Sequence, residues 1–178
     1  MQLETLFSEE ELALLRLRAE RVAAPLQEED RAGTLTALVV VLQGEKYALR
    51  IDAITVVYQH VAIVPIPCVP EFVAGIANVR GHLISVLDLA ALLGLRRGED
   101  AAEAALVVAE TEDARIGFRV ETIGEVVELA VSQLNPVPID MNLAQSTYLQ
   151  GLFPDGTALL NMQVILGDPR LIVDDSAS

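Results

Sequence analysis

The sequence predicts an all-β protein with short helices, built from two related β units that follow an N-terminal helix. Three observations predict it. From Leu35 onward the chain consists of short apolar or β-branched runs separated by turn residues, with no long stretch of helical spacing. The second half of that region repeats the first. Polar stretches at 26–33 and 96–103 set off the parts. Units of about 60–70 residues usually close into small barrels, which removes most exposed strand edges, and each is marginal alone, so the two should share an interface.

Residues 1–33 form the first part. Ser8-Glu9-Glu10-Glu11 reads as a capping box, with Phe7 and Leu12 placed to close a hydrophobic staple over it. Leu12, Leu15, Ala19 and Val22 follow at helical spacing, and Pro25 ends the pattern. Acidic residues crowd the first turn and Arg16, Arg18 and Arg21 come later, the order a helix dipole favours. Such a helix suits two uses: packing on its own domain, or docking to a partner.

Strands follow. Leu35–Leu42 is an apolar run, Gln43-Gly44-Glu45 is turn material, Lys46–Asp52 resumes, and Ile54–Val61 is β-branched. Pro65, Pro67 and Pro70 punctuate a loop. Val73–Val79 and His82–Leu87 read as strands on either side of Gly81. Leu89–Leu93 reads as a short helix capped by Asp88 and stopped by Gly94. After the linker the pattern returns. Ala37-Leu38-Val39-Val40 matches Ala105-Leu106-Val107-Val108 at an offset of 68. Tyr47–Asp52 matches Ile116–Glu121 at 69, and Ile54 and Val57 fall on Ile123 and Val126. Gly75 pairs with Gly151, and Leu87-Asp88-Leu89 with Leu160-Asn161-Met162, which keeps a good N-cap where the residue changes. The repeat halves are therefore about 35–95 and 104–168, forming two interleaved or packed subdomains within a domain spanning 34–170, with 171–178 as a tail.

Composition narrows the function. Leu, Val and Ile make up about a third of the 178 residues, too many for a disordered chain. The formal net charge is −14, and Lys46 is the single lysine among 12 basic residues. A surface this acidic repels phosphate backbones and anionic lipid, so no nucleic acid and no membrane surface is expected as a partner. One cysteine forms no intrachain disulfide, which fits a reducing compartment. The N-terminus lacks the basic and apolar regions of a signal peptide. No apolar run approaches the ~20 residues a membrane helix needs, so direct insertion is not expected and a cytoplasmic location is.

A catalytic or metal constellation is not visible. His60 and His82 have no metal-ligand spacing and read as surface or edge residues. Cys68, between prolines, reads as a buried structural thiol. No nucleophile elbow and no phosphate-cradling glycine loop is present. Asp88 is explained as a cap, and 4% aromatic content disfavours base or sugar stacking. No enzyme, cofactor or metal is therefore expected. Protein recognition remains. In Gly75-Ile76-Ala77-Asn78-Val79-Arg80-Gly81-His82-Leu83-Ile84 a cation occupies a strand-to-strand turn, on a chain with few cations. Gly81 permits the tight turn. Arg80 there can fork onto a carboxylate, stack on an apolar partner, or simply be solvated.

These residues resemble the CheW-like domain of bacterial chemotaxis coupling proteins, from about residue 35 to 168. Ile54-Thr55-Val56-Val57 is similar to the family's V-x-x-V/I strand, and Pro65–Gly75 to its proline-punctuated loop. Gly75–Gly81 resembles its G-[VI]-x-N-[LV]-R-G signature, Ser85–Leu89 the P-[VI]-[IV]-D-L continuation, and Tyr148–Gly151 the later Y-[LI]-x-G. The resemblance implies two five-stranded SH3-like barrels related by the internal repeat. It implies a non-enzymatic signalling adaptor that couples the cytoplasmic tips of chemoreceptors (methyl-accepting chemotaxis proteins) to a CheA-type histidine kinase. That kinase's regulatory domain belongs to the same family. By position, Arg80, with Asn78, Val79 and Gly81 around it, would sit at the receptor–kinase interface. Ile54, Val56 and Val57 would lie on a binding face. The protein would be cytoplasmic, associated with membrane receptor arrays through its partners. The chain departs from the family pattern at Val56, often acidic there, at Ser85 in place of proline, and at Asn161 and Val164, where the second L-D-L-x-K loses its acid and its basic residue. Those departures suit an adaptor of a divergent pathway, one controlling pili or gliding. A small β-barrel ligand-binding protein is the alternative from another class.

Overall fold

A computed structural model of the chain describes residues 33–96, 103–112 and 114–171. The helix and linker expected in 1–33, and nearly all of the 171–178 tail, lie outside the described residues.

The strands are β1 Thr34–Leu42, β2 Glu45–Arg50, β3 Val56–Val64, β4 Val73–Val79, β5 His82–Asp88, β6 Glu103–Glu110, β7 Arg115–Val120, β8 Thr122–Ala130, β9 Leu149–Leu152 and β10 Ala158–Leu160. Three short helices accompany them: α1 Leu89–Leu92, α2 Leu143–Tyr148 and α3 Met162–Leu166. Asp88 caps α1, its carboxylate accepting from the Ala91 N–H at 2.9 Å. Asn161 caps α3 in the same way, accepting from the Val164 N–H at 3.2 Å. Asn142 does so for α2. The first two are the repeat-related pair, so the cap chemistry is retained in both halves.

Strand exchange links the halves. A closed barrel has the order β3-β4-β5-β7-β6, and a second five-stranded sheet has the order β8-β1-β2-β10-β9. Each therefore takes three strands from one half and two from the other. The second sheet lacks a β8–β9 ladder; a single antiparallel bridge, Asn135 to Leu152, spans that gap. It occupies the place that Val64 and Ile76 hold in the first barrel, where β3 meets β4.

The register corrects one part of the sequence reading. Leu38 lies opposite Leu49, and Val107 opposite Phe118. Leu49 and Phe118 are equivalent at an offset of 69, so Leu38 corresponds to Val107 and not to Leu106. The Ala-Leu-Val-Val identity at offset 68 is a one-residue slip. A slip of one turns every side chain to the other face of a strand. The faces agree with 69: Leu38 and Val107 both enter the largest buried cluster, whereas Ala37 and Leu106 enter the separate cores of the two sheets.

That largest cluster lies between the sheets. It draws Leu38, Val40, Tyr47 and Leu49 from one, Val107, Phe118 and Val120 from the other, and α1 and α3 as well. β1 and β6 are buried on both faces, which is why they read as unbroken apolar runs instead of alternating patterns. Tyr47 and Tyr148 are buried there with paired hydroxyls. Burial pushes the Tyr47 phenol up to about 12, partly offset by a hydrogen bond from Gln145.

Two glycines are fixed by close approach. A Cβ on Gly75 would stand 2.1 Å from the Val64 carbonyl oxygen, and one on Gly151 would stand 2.5 Å from the Asn135 carbonyl oxygen. The repeat pairs these two glycines because each lies at the equivalent junction, the β3–β4 ladder of the closed barrel and the Asn135–Leu152 bridge of the second sheet. Some local expectations shift. The β-branched run begins its ladder at Val56 and not Ile54, because Ile51–Ala53 forms a 3-10 turn first. Cys68 is exposed, with φ +61, and is not a buried thiol. The prolines on either side keep its loop out of the ladders.

Candidate partner-binding site

The β4–β5 turn is the most distinctive surface feature. Val79 and His82 are the last ladder pair, leaving Arg80 and Gly81 as the two turn residues. Both have positive φ, +51 and +85. Primed two-residue turns need this because their twist matches that of the flanking strands. Gly81 adopts the conformation without cost. Arg80 does so with strain, and Asn78 supports it: the Asn78 side-chain oxygen accepts from the Gly81 N–H at 3.0 Å. The guanidinium of Arg80 lies over the ring of Tyr58 on β3, 5.8 Å from its centroid.

The residues expected at the site separate into two groups. Arg80, Asn78 and Gly81 are together and exposed. Val79 is buried in the barrel core and anchors the turn from beneath. Val56 is half-buried against the same core, and Ile54 and Val57 pack half-buried against the central cluster. These three shape the strand carrying Tyr58 and do not gather around Arg80 as exposed side chains. His60 and His82 are exposed; His60 has φ +59 within the irregular stretch where β3 slips against β6.

Sequence reasoning missed Tyr58 and Leu83. Leu83, opposite Asn78, is 73% exposed, and Val64 on β3 is 67% exposed. The two side chains stand on strands either side of β4, and Leu83 is the one next to the Arg80 turn. The strand pattern could have flagged Leu83, since it takes the outward position between the turn and buried Ile84. Nothing local could have linked Tyr58 to Arg80.

The second half does not duplicate the cationic turn. Its β9–β10 connection carries Asp155-Gly156, and Asp155 is satisfied within the loop by the Thr157 N–H and hydroxyl, each at 3.0 Å. Those hydrogen bonds from Thr157 outweigh slight burial and hold the Asp155 carboxyl below its ordinary value.

A buried network braces the base of β4. The Asp168 carboxylate, 1% exposed, accepts from the Tyr148 hydroxyl and from the Arg170 guanidinium. The guanidinium in turn lies over the Phe72 ring. Burial pushes the Asp168 carboxyl up, but the Arg170 and Tyr148 hydrogen bonds outweigh it and hold it below the ordinary carboxylate range. Burial and the neighbouring carboxylate drive the Tyr148 phenol well up. The Phe72 carbonyl accepts from the Asp88 N–H at 2.7 Å, and the Asp88 carboxylate pairs with Arg119 at 3.7 Å.

Among the described residues, no His, Cys, Asp or Glu group is arranged to hold a metal ion, and no helix is long and apolar enough to cross a membrane. What the turn offers is a fixed cation beside exposed apolar surface, which is recognition chemistry.

Comparison with known proteins gives one answer. The CheW-like domain model matches residues 36–170. A chemotaxis protein CheW from Thermotoga maritima is 34% identical over 94 residues, covering 53% of this chain and 62% of that protein. One from Helicobacter pylori is 23% identical over 121 residues, covering 68% and 73%. The crystal structure of the scaffolding protein TtCheW from Thermoanaerobacter tengcongensis superposes with a TM-score of 0.60 at 26% identity, covering 71% of this chain and 86% of that one. The chain belongs to the CheW-like domain family, and the CheW proteins it resembles are chemotaxis and scaffolding proteins, not enzymes.

Proposed function

We propose that this protein couples the cytoplasmic tips of chemoreceptors to the regulatory domain of a CheA-type histidine kinase. The observation that carries this reading is the Arg80 turn: a strained, side-chain-clamped cation, exposed at the position of the family signature. Its mechanism is geometric. Preformed surfaces hold two partners in fixed relative positions, with a few anchors supplying most of the binding energy across roughly 1,000–2,000 Å² of total buried surface. The protein acts in the cytoplasm and reaches the membrane arrays through its partners. The departures at Val56, Ser85, Asn161 and Val164 favour a divergent chemosensory pathway, such as one controlling pili or gliding.

In a reconstituted receptor–kinase assembly, Arg80→Ala and Arg80→Glu should abolish kinase activation, while circular dichroism and thermal unfolding match the parent. Normal coupling by either variant, or loss of the fold, would count against the assignment. The net charge of −14 should speed encounter with basic faces of the partners, so association should slow as salt rises.

A further inference from the structure

We infer that Tyr58 is the positioning residue for Arg80, and that the pair forms a preset two-pronged donor for a carboxylate on a partner protein. This rests on the reading of Arg80 as a partner-binding residue.

The described arginines divide by what they touch. Four of the six are ion-paired: Arg50 with Asp52, Arg115 with Glu110, Arg119 with Asp88 and Arg170 with Asp168. Arg80 makes no ion pair with any described residue; its guanidinium rests on a ring instead. That difference matters chemically. A carboxylate uses up the in-plane N–H donors of a guanidinium. An aromatic face attracts the cation through its quadrupole and leaves those in-plane donors free. An exposed arginine ordinarily loses rotamer freedom when it binds, and a guanidinium already held against a ring has less to lose.

Two backbone features bring the pair together across 22 positions of sequence. The primed turn fixes where the Arg80 side chain starts. On β3 the ladder with β6 slips between Tyr58 and Val61, with His60 at φ +59, and such an irregularity re-aims the side chains beside it. Tyr58 packs half-buried against the barrel core, which holds its ring still. Its hydroxyl has no hydrogen-bond partner among the described residues, so the ring and not the hydroxyl carries the role. The carboxylate on the partner would be flanked by apolar surface, to meet exposed Leu83 beside it.

The test uses the full chain. Binding of a CheA-type regulatory domain and of a receptor-tip fragment is measured by calorimetry for the parent, Tyr58→Phe, Tyr58→Leu, Arg80→Ala and Tyr58→Leu/Arg80→Ala. The Arg80 Nε–H resonance is followed by NMR. On whichever partner Arg80→Ala weakens, Tyr58→Leu should weaken binding about two- to five-fold, the range for one exposed cation–ring contact. Tyr58→Phe should bind as the parent does, and Tyr58→Leu should have no further effect once Arg80 is gone. The ring-current shift on Arg80 should persist in Tyr58→Phe and vanish in Tyr58→Leu. If Arg80→Ala weakens binding but Tyr58→Leu does not, or acts equally without Arg80, the positioning role is overturned and the site reading stands. If Arg80→Ala leaves both partners bound as before, the site reading falls and this inference with it.

Discussion

Alanine at Gly75 and at Gly81 should have sharply different costs, although both glycines belong to one signature and both have positive φ, +146 and +85. A Cβ at Gly81 meets nothing within 4 Å. Gly81→Ala therefore incurs only backbone strain, about 1–2 kcal/mol. A Cβ at Gly75 would stand 2.1 Å from the Val64 carbonyl oxygen and 2.7 Å from its carbon. Backbone must give by more than ~1 Å to restore ordinary contact. The part that gives is the barrel's closing ladder, whose only register pairs are Ile63 with Ala77 and Val64 with Ile76. Losing those hydrogen bonds at about 1 kcal/mol each, on top of backbone strain of about 1–3 kcal/mol, sums to about 3–5 kcal/mol. That is a large share of the roughly 5–15 kcal/mol by which a domain is stable. The melting temperature should fall by about 6–20 °C, at ~2–4 °C per kcal/mol for a chain this size. Urea unfolding followed by circular dichroism measures both variants. Equal costs for Gly75→Ala and Gly81→Ala would refute the close-approach argument.

Four further outcomes are expected. Asp88→Asn keeps an acceptor for the α1 cap but loses the charge facing Arg119, and should cost about 3 kcal/mol, the low end for breaking a buried pair. Asp88→Ala should cost about 1 kcal/mol more because the cap goes too, and indistinguishable urea midpoints would remove the cap from the account. The Asp168 carboxyl is held below its unfolded value of about 3.9, so its contribution is complete above that pH and is lost as pH falls through the folded value. Asp168→Asn should lower stability at pH 7 by ~2 kcal/mol and flatten the decline of stability below pH ~5; an unchanged acid limb would contradict this. Cys68, being exposed, should react fully with a thiol reagent without denaturant, whereas a reaction that requires unfolding would return it to the interior.

Local chemistry was legible where neighbours in sequence decide it. The Asp88 and Asn161 caps depend on a side chain and an N–H three residues on, and both form as read. The β4–β5 hairpin depends on two turn residues between β-forming runs, and its strands fall where the pattern puts them. The repeat was visible because caps, closing glycines and apolar positions recur. The β1–β6 match slipped by one because an Ala-Leu-Val-Val identity outweighed register, and two runs buried on both faces carry no alternation to expose the slip. At the site, the turn and its cation were legible. Tyr58 was not, since its distance from Arg80 in space has no counterpart in spacing.

By itself, then, the sequence determined the strands between Leu35 and Leu87 and the capped helix after Asp88, the two-fold repeat, the family and the turn that presents Arg80. Tertiary structure alone decided which strands pair, that β6 and β7 complete the barrel of β3, β4 and β5 while β1 and β2 join β8, β9 and β10. It also decided that Cys68 is open and that Tyr58 lies beneath Arg80. The physical reason is the same in each case. Hydrophobic pattern fixes which face of a strand is buried, but exchanged and unexchanged barrels bury the same faces, so the choice of neighbour is settled only by packing across the whole chain.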